Sequence, residues 1–153
     1  MMRAVCVVLT VLALSVATPV LADDSPISAS DAWARPTLKG TRTGAVYLML
    51  SNHGAANDRL VGASTPVAER AEVHEDVTTN GVMSMAPVPA LALPAGASTA
   101  IEPGRYHIML VDIKRQLSAG ESFPITLTFA NAPPLEVKVT VTRTPPKTAS
   151  TGP

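Results

Sequence analysis

Residues 135–141 read LEVKVTV, with apolar and polar side chains in strict alternation. Successive side chains of an extended chain point to opposite faces, so this pattern yields one dry face and one wet face, and a helix cannot use it. ITLTF at 125–129 alternates in the same way, and NAPP at 131–134 separates the two runs with turn chemistry. Further short β-rich runs occupy 45–50, 70–78, 106–111 and 123–129. The chain has 14 prolines, most of them between such runs, where a missing N–H and a fixed φ are tolerated. No long helical periodicity competes with this pattern. Many short strands with turns between them predict an all-β single domain, a β-sandwich or barrel. PVPALALPAG at 87–96 reads as a connection with little regular structure, and no internal repeat is present.

The ends of the chain set the domain boundaries. Arg3 precedes an apolar run of about 14 residues that closes in a small-residue site at Val20-Leu21-Ala22, the grammar of a secretory signal peptide cleaved after Ala22. No other run approaches the roughly 18 apolar residues a membrane span needs. Residues 1–22 are therefore expected to be a leader, 23–143 the folded domain, and 144–153 (TPPKTASTGP) a disordered tail. Cleavage leaves 131 residues (153 less 22), enough for one core. It also removes Cys6, the single cysteine, so the mature chain has no disulfide, no catalytic thiol and no thiolate ligand. Cys6 lies inside the apolar run rather than at its end, which argues against lipid attachment. Mature Lys+Arg is 11 (12 less Arg3) against 12 Asp+Glu, a net charge of −1 without a basic stripe, so nothing points to nucleic acid.

The chemistry concentrates in two short pieces. EVHEDVTTNGVMSM at 72–85 carries Asn80-Gly81 between β-like runs, a strong signal for a two-residue type I′ hairpin. That turn pairs Thr79 with Val82, Thr78 with Met83, Asp76 with Met85 and His74 with Pro87. His74, Asp76 and Thr78 then share a face with Met83 and Met85, while Val73, Val77 and Val82 take the core face. His74 and Met85 become diagonal neighbours, roughly 7–8 Å apart at the backbone. The second piece, YHIML at 106–110, puts His107 and Met109 on one face and Ile108 and Leu110 on the other. Of the other mature His and Met residues, His53 sits in an exposed turn and Met49 in a separate strand.

Each residue alone has an ordinary reading. A strand histidine is usually just solvated or satisfied, and methionine is an adaptable packing residue. Glu72, Glu75 and Asp76 read as a solvated strand edge. No nucleophile motif joins Ser, His and Asp. The joint pattern, two strands each setting His and Met opposite their aliphatic face, leaves a metal site and an incidental cluster both open. If metal binds, imidazole with thioether selects Cu(I): Zn(II) seldom takes Met, Ca(II) and Mg(II) want oxygen, and a blue-copper site needs a Cys thiolate. Histidine must be neutral to bind, so affinity should fall below about pH 6.5.

Ten residues separate His74 from Met85, twenty-one separate Met85 from His107, and one separates His107 from Met109. This spacing resembles the signature of the periplasmic copper chaperones called PCuAC. DAWARP at 31–36, GAVYL at 44–48, DRLVGAS at 58–64, GVMSM at 81–85 and LTF at 127–129 are similar to the family's wording, and the resemblance spans roughly 28–142. It implies a cupredoxin-like Greek-key β-sandwich that binds one Cu(I) per chain near its surface through His74, Met85, His107 and Met109, with Met83 nearby and not counted. It further implies a periplasmic monomer that is a carrier rather than an enzyme. Its copper acceptor would be cytochrome c oxidase subunit II, at the Cu(A) centre, and/or a Sco-type protein. Gln116 stands where the family commonly has Pro, and the tail lacks the His and Met that give some relatives a further copper site. Two other functions stay open: a periplasmic copper buffer or resistance protein without a dedicated acceptor, and a metal-free β-sandwich binding module.

Overall fold

Residues 25–146 are described by the computed structural model, and among them there are ten strands and no helix. These are β1 (Ile27–Ala34), β2 (Thr43–Asn52), β3 (Asp58–Ser64), β4 (Ala68–Thr79), β5 (Val82–Pro87), β6 (Leu91–Leu93), β7 (Ser98–Ile101), β8 (Tyr106–Ile113), β9 (Ser122–Phe129) and β10 (Leu135–Val141). The expected leader and most of the expected tail lie outside the described residues. The alternating run at 135–141 is β10 in full: Val137, Val139 and Val141 are buried, and Glu136, Lys138 and Thr140 are exposed. On β9 the same logic buries Phe123, Ile125, Leu127 and Phe129. Truncating one of these, such as Ile125, to Ala costs about 2–5 kcal/mol through lost transfer energy and the cavity left behind.

The strands form one ladder in the order β5-β4-β8-β2-β1-β10-β9-β3-β6, with β7 also on β2. A further pairing, Ala63 of β3 with Ala71 of β4, joins the strands next to the two ends of that path and closes the sheet around the aliphatic core. β1 sits between antiparallel β2 and parallel β10. A bulge between Ser30 and Trp33, with Asp31 at φ 53°, lets one strand serve both neighbours. The result is an all-β, cupredoxin-like single domain.

Two expectations are corrected. The 87–96 segment contains β6, whose Leu91 and Leu93 are buried opposite Leu60 and Asp58 of β3. Three residues are too few to show a period, so only the tertiary pairing reveals this strand. The hairpin forms in the expected register, from Thr79↔Val82 to His74↔Pro87. Its outer valines are not core, however: Val82 is 67% exposed and Val77 is half-buried. β8 pairs with β4 only as far as Glu75↔Tyr106, so the hairpin beyond that point extends past its neighbouring strand.

Candidate metal centre

β4 and β8 lie side by side with Glu72↔Met109, Val73↔Ile108 and His74↔His107 in register. Val73, Ile108 and Leu110 enter the core, so alternation turns His74, His107 and Met109 to the outer face. The His74 and His107 rings face each other across the ladder, centroids 5.8 Å apart and edge to face at 63°. β5 adds Met85, directly opposite Asp76. Met85, His107, Met109 and Asp76 line one open pocket, walled by the segment from Arg35 to Thr43 and by Tyr47. Met85, His107 and Met109 thus share one pocket, and His74, which does not line it, joins the same outer face through its ring contact with His107.

The patch is graded in depth. His107 is buried at 6% exposure, His74 is half-buried, and Met85 stands out at 58%. Burial holds the His107 imidazole below its ordinary 6.5; the Asp76 carboxylate opposes this and His74 adds to it. His107 is therefore neutral near pH 7, the form that offers a lone pair to a metal. His74 places Nε2 3.3 Å from a Glu72 carboxylate oxygen. Its Nδ1 is buried and has no hydrogen-bond partner. A buried ring nitrogen without a partner is costly unless something fills it, and an electrophilic ion would. Among the described residues no three of His, Cys, Asp and Glu converge as a metal-holding group.

Other residues fall into place around this centre. Met83 is 70% exposed, pairs with Thr78 nearer the hairpin tip, and does not line the pocket. His53 bonds Ser28 Oγ at 2.8 Å, and Met49 lies opposite Ser30 and Ala100, so both are elsewhere. Glu72 and Asp76 are more than the solvated edge expected of them. Glu72 bridges Arg70 and His74. The Asp76 side chain is only 20% exposed, and Oδ1 lies 3.6 Å from His107 Nδ1. Strand alternation put both carboxylates on the histidine face from the start; their partners needed the fold. Gln116 braces the pocket wall. Its side-chain amide donates to Thr37 O at 3.0 Å, and the Leu117 N–H donates to Thr37 Oγ1 at 2.9 Å. Both bonds pin the 35–43 segment in place.

Fold and site together define a cupredoxin-like β-domain that displays paired histidines and methionines on one outer sheet face. Residues 27–141 match the family model described as "Putative lipoprotein LpqE-like", and the chain belongs to this PCuAC-type family. It is 32% identical over 116 residues to "Putative lipoprotein Lxx21020" of Leifsonia xyli subsp. xyli, covering 75% of this chain and 69% of that one. It is 35% identical over 101 residues to "Uncharacterized protein RP573" of Rickettsia prowazekii, covering 63% of this chain and 56% of that protein's length. Among solved structures, the Cu(I) form of DR1885 from Deinococcus radiodurans is 31% identical with a TM-score of 0.59, covering 84% of this chain and 81% of its own. The copper-bound PCuAC domain from PmoF2 has a TM-score of 0.66 at 24% identity, covering 76% and 92%, a likeness of fold. The lipoprotein names belong to the relatives, and Cys6 of this chain lies outside the described residues.

Proposed function

We propose that this protein is an exported, periplasmic Cu(I) carrier that supplies copper to the Cu(A) centre of cytochrome c oxidase. It holds one ion per chain through His74, Met85, His107 and Met109 and performs no catalysis of its own. The observation that carries this reading is the opposed His74 and His107 pair, one ring with an orphaned buried nitrogen, flanked by Met85 and Met109. Imidazole with thioether is a soft donor set that favours Cu(I) over the harder divalent ions. The solved Cu(I) form of DR1885, a relative at 31% identity, supports copper as the cargo.

The depth gradient suits transfer. Sunken imidazoles keep the ion in place, while exposed Met85 is the donor an incoming ligand meets first. Copper moves by successive replacement, with Met85 leaving ahead of the histidines as thiolates of oxidase subunit II or of a Sco-type protein bind. Direct exchange of this kind makes the transfer rate rise with acceptor concentration. A concentration-independent rate, set by dissociation of free ion, would rule it out.

The test is an anaerobic Cu(I) titration of the 23–153 chain against a chromophoric chelator, with His74→Ala, Met85→Ala, His107→Ala and Met109→Ala beside the wild type. One tight equivalent that each substitution weakens is the expected result. A wild type that cannot compete with the chelator, or variants that match it, would sink the reading. Transfer to an apo Cu(A) domain then distinguishes a chaperone from a copper buffer.

A further inference from the structure

Each histidine of the pair has its own carboxylate, and each carboxylate is anchored through its second oxygen. On β4, Glu72 Oε1 accepts from the Arg70 guanidinium at 2.7 Å and Oε2 lies 3.3 Å from His74 Nε2. Asp76 Oδ2 accepts the Gly104 N–H at 3.1 Å, and the Asp76 N–H donates to Arg105 O at 2.7 Å. Asp76 is thereby clamped at two points to the turn before β8, which leaves Oδ1 facing His107 Nδ1 at 3.6 Å. A carboxylate beside an imidazole nitrogen favours the tautomer with the proton on that nitrogen and frees the other for a metal. On His74 the opposite nitrogen, Nδ1, is buried and without a partner, and His107 lines the pocket shared by Met85 and Met109.

We infer that Glu72 and Asp76 are positioning residues that set opposite tautomers on the two histidines, so that His74 offers Nδ1 and His107 offers Nε2 to the bound ion. The inference rests on the copper reading and adds the nitrogen through which each ring binds. The two rings approach edge to face from paired positions on the ladder. A change of carboxylate to amide has a specific consequence. In Asp76→Asn the amide oxygen keeps the Gly104 N–H, and its NH2 turns to His107 Nδ1. In Glu72→Gln the oxygen keeps Arg70, and its NH2 turns to His74 Nε2. Each variant moves the proton onto the nitrogen the metal needs.

The experiment records two-bond proton–nitrogen correlations of the imidazoles in the apo protein at pH 7.5, for wild type, Glu72→Gln and Asp76→Asn, and then titrates each with Cu(I). Wild type is expected to show the Nε2–H tautomer at His74 and the Nδ1–H tautomer at His107. Each variant is expected to reverse its own ring and to bind Cu(I) about ten- to a hundredfold more weakly with thermal stability unchanged. Reversed wild-type tautomers, or variants that bind like wild type, overturn the inference. If the wild type binds no Cu(I), the copper reading fails, and the spectra, which need no metal, still decide whether the carboxylates hold the rings as assigned.

Discussion

At the scale of single residues, the two methionines of β5 separate cleanly. Met85 lines the pocket beside His107, and Met83 stands 70% exposed outside it. Met85→Ala should weaken Cu(I) binding by about tenfold or more, roughly 1.4 kcal/mol. Met83→Ala should leave it nearly unchanged, and a chelator competition reads both. His107 supplies a pH dependence whose sign follows from its environment. Unfolded, its imidazole titrates near 6.5; folded, burial holds it lower. Between those values the unfolded chain holds a proton that the folded chain does not. This contribution to stability is therefore complete above 6.5 and is lost as pH falls through the window beneath it. Urea unfolding of the apo protein at pH 7.5, 6 and 5 should show a falling midpoint, with a shallower fall in His107→Gln.

At the scale of elements, the hairpin governs the site. β5 pairs with β4 alone, so Met85 is held only as well as this edge ladder holds. Its turn places Asn80 at φ 52° and Gly81 at φ 77°, left-handed conformations that a type I′ turn requires. A β-branched residue at 81 is strained there even though the space is open. Gly81→Val should cost about 1 kcal/mol, expressed locally. Hydrogen exchange should show β5 losing protection while β9 and β10 keep theirs, and Cu(I) affinity should fall with it. Uniform loss of protection across the sheet would mean that the hairpin folds as one unit with the barrel, contrary to its extension past β8.

At the scale of the whole molecule, closure depends on polar fastenings as well as on the core. Asp58 opens β3, and its buried carboxylate accepts N–H bonds from Arg59, Asn131 and Ala132 and a side-chain bond from Asn131. Burial pushes this carboxyl up, and the four bonds together more than offset it, holding it below the ordinary 3.8. Its stabilisation is present above that value and is lost as pH falls through the lower folded one. Asp58→Ala strands backbone donors at the β9–β10 turn and should cost about 1–3 kcal/mol. The melting temperature should drop while Cu(I) affinity stays at the wild-type level, because Asp58 lies outside the histidine patch. Loss of copper binding at full stability would contradict this division.

The sequence by itself determined the all-β class, the hairpin register, the common face of His74 and Met85, and the common face of His107 and Met109. These follow from local rules: period-two alternation, and a turn dipeptide whose backbone preference is intrinsic. LEVKVTV became β10 without a residue gained or lost, and Asn80-Gly81 fixed every pair down to His74↔Pro87. Only the tertiary structure decided that β8 lies beside β4 with His107 opposite His74, because that pairing joins residues thirty-three apart and no local pattern encodes it. The same holds for β6, recognisable only against β3, and for the outward position of Val82, set by where β8 ends. It holds as well for the carboxylate partners of the histidines. Alternation placed Glu72 and Asp76 on the right face, but the Arg70 and Gly104 anchors that aim them belong to the assembled sheet.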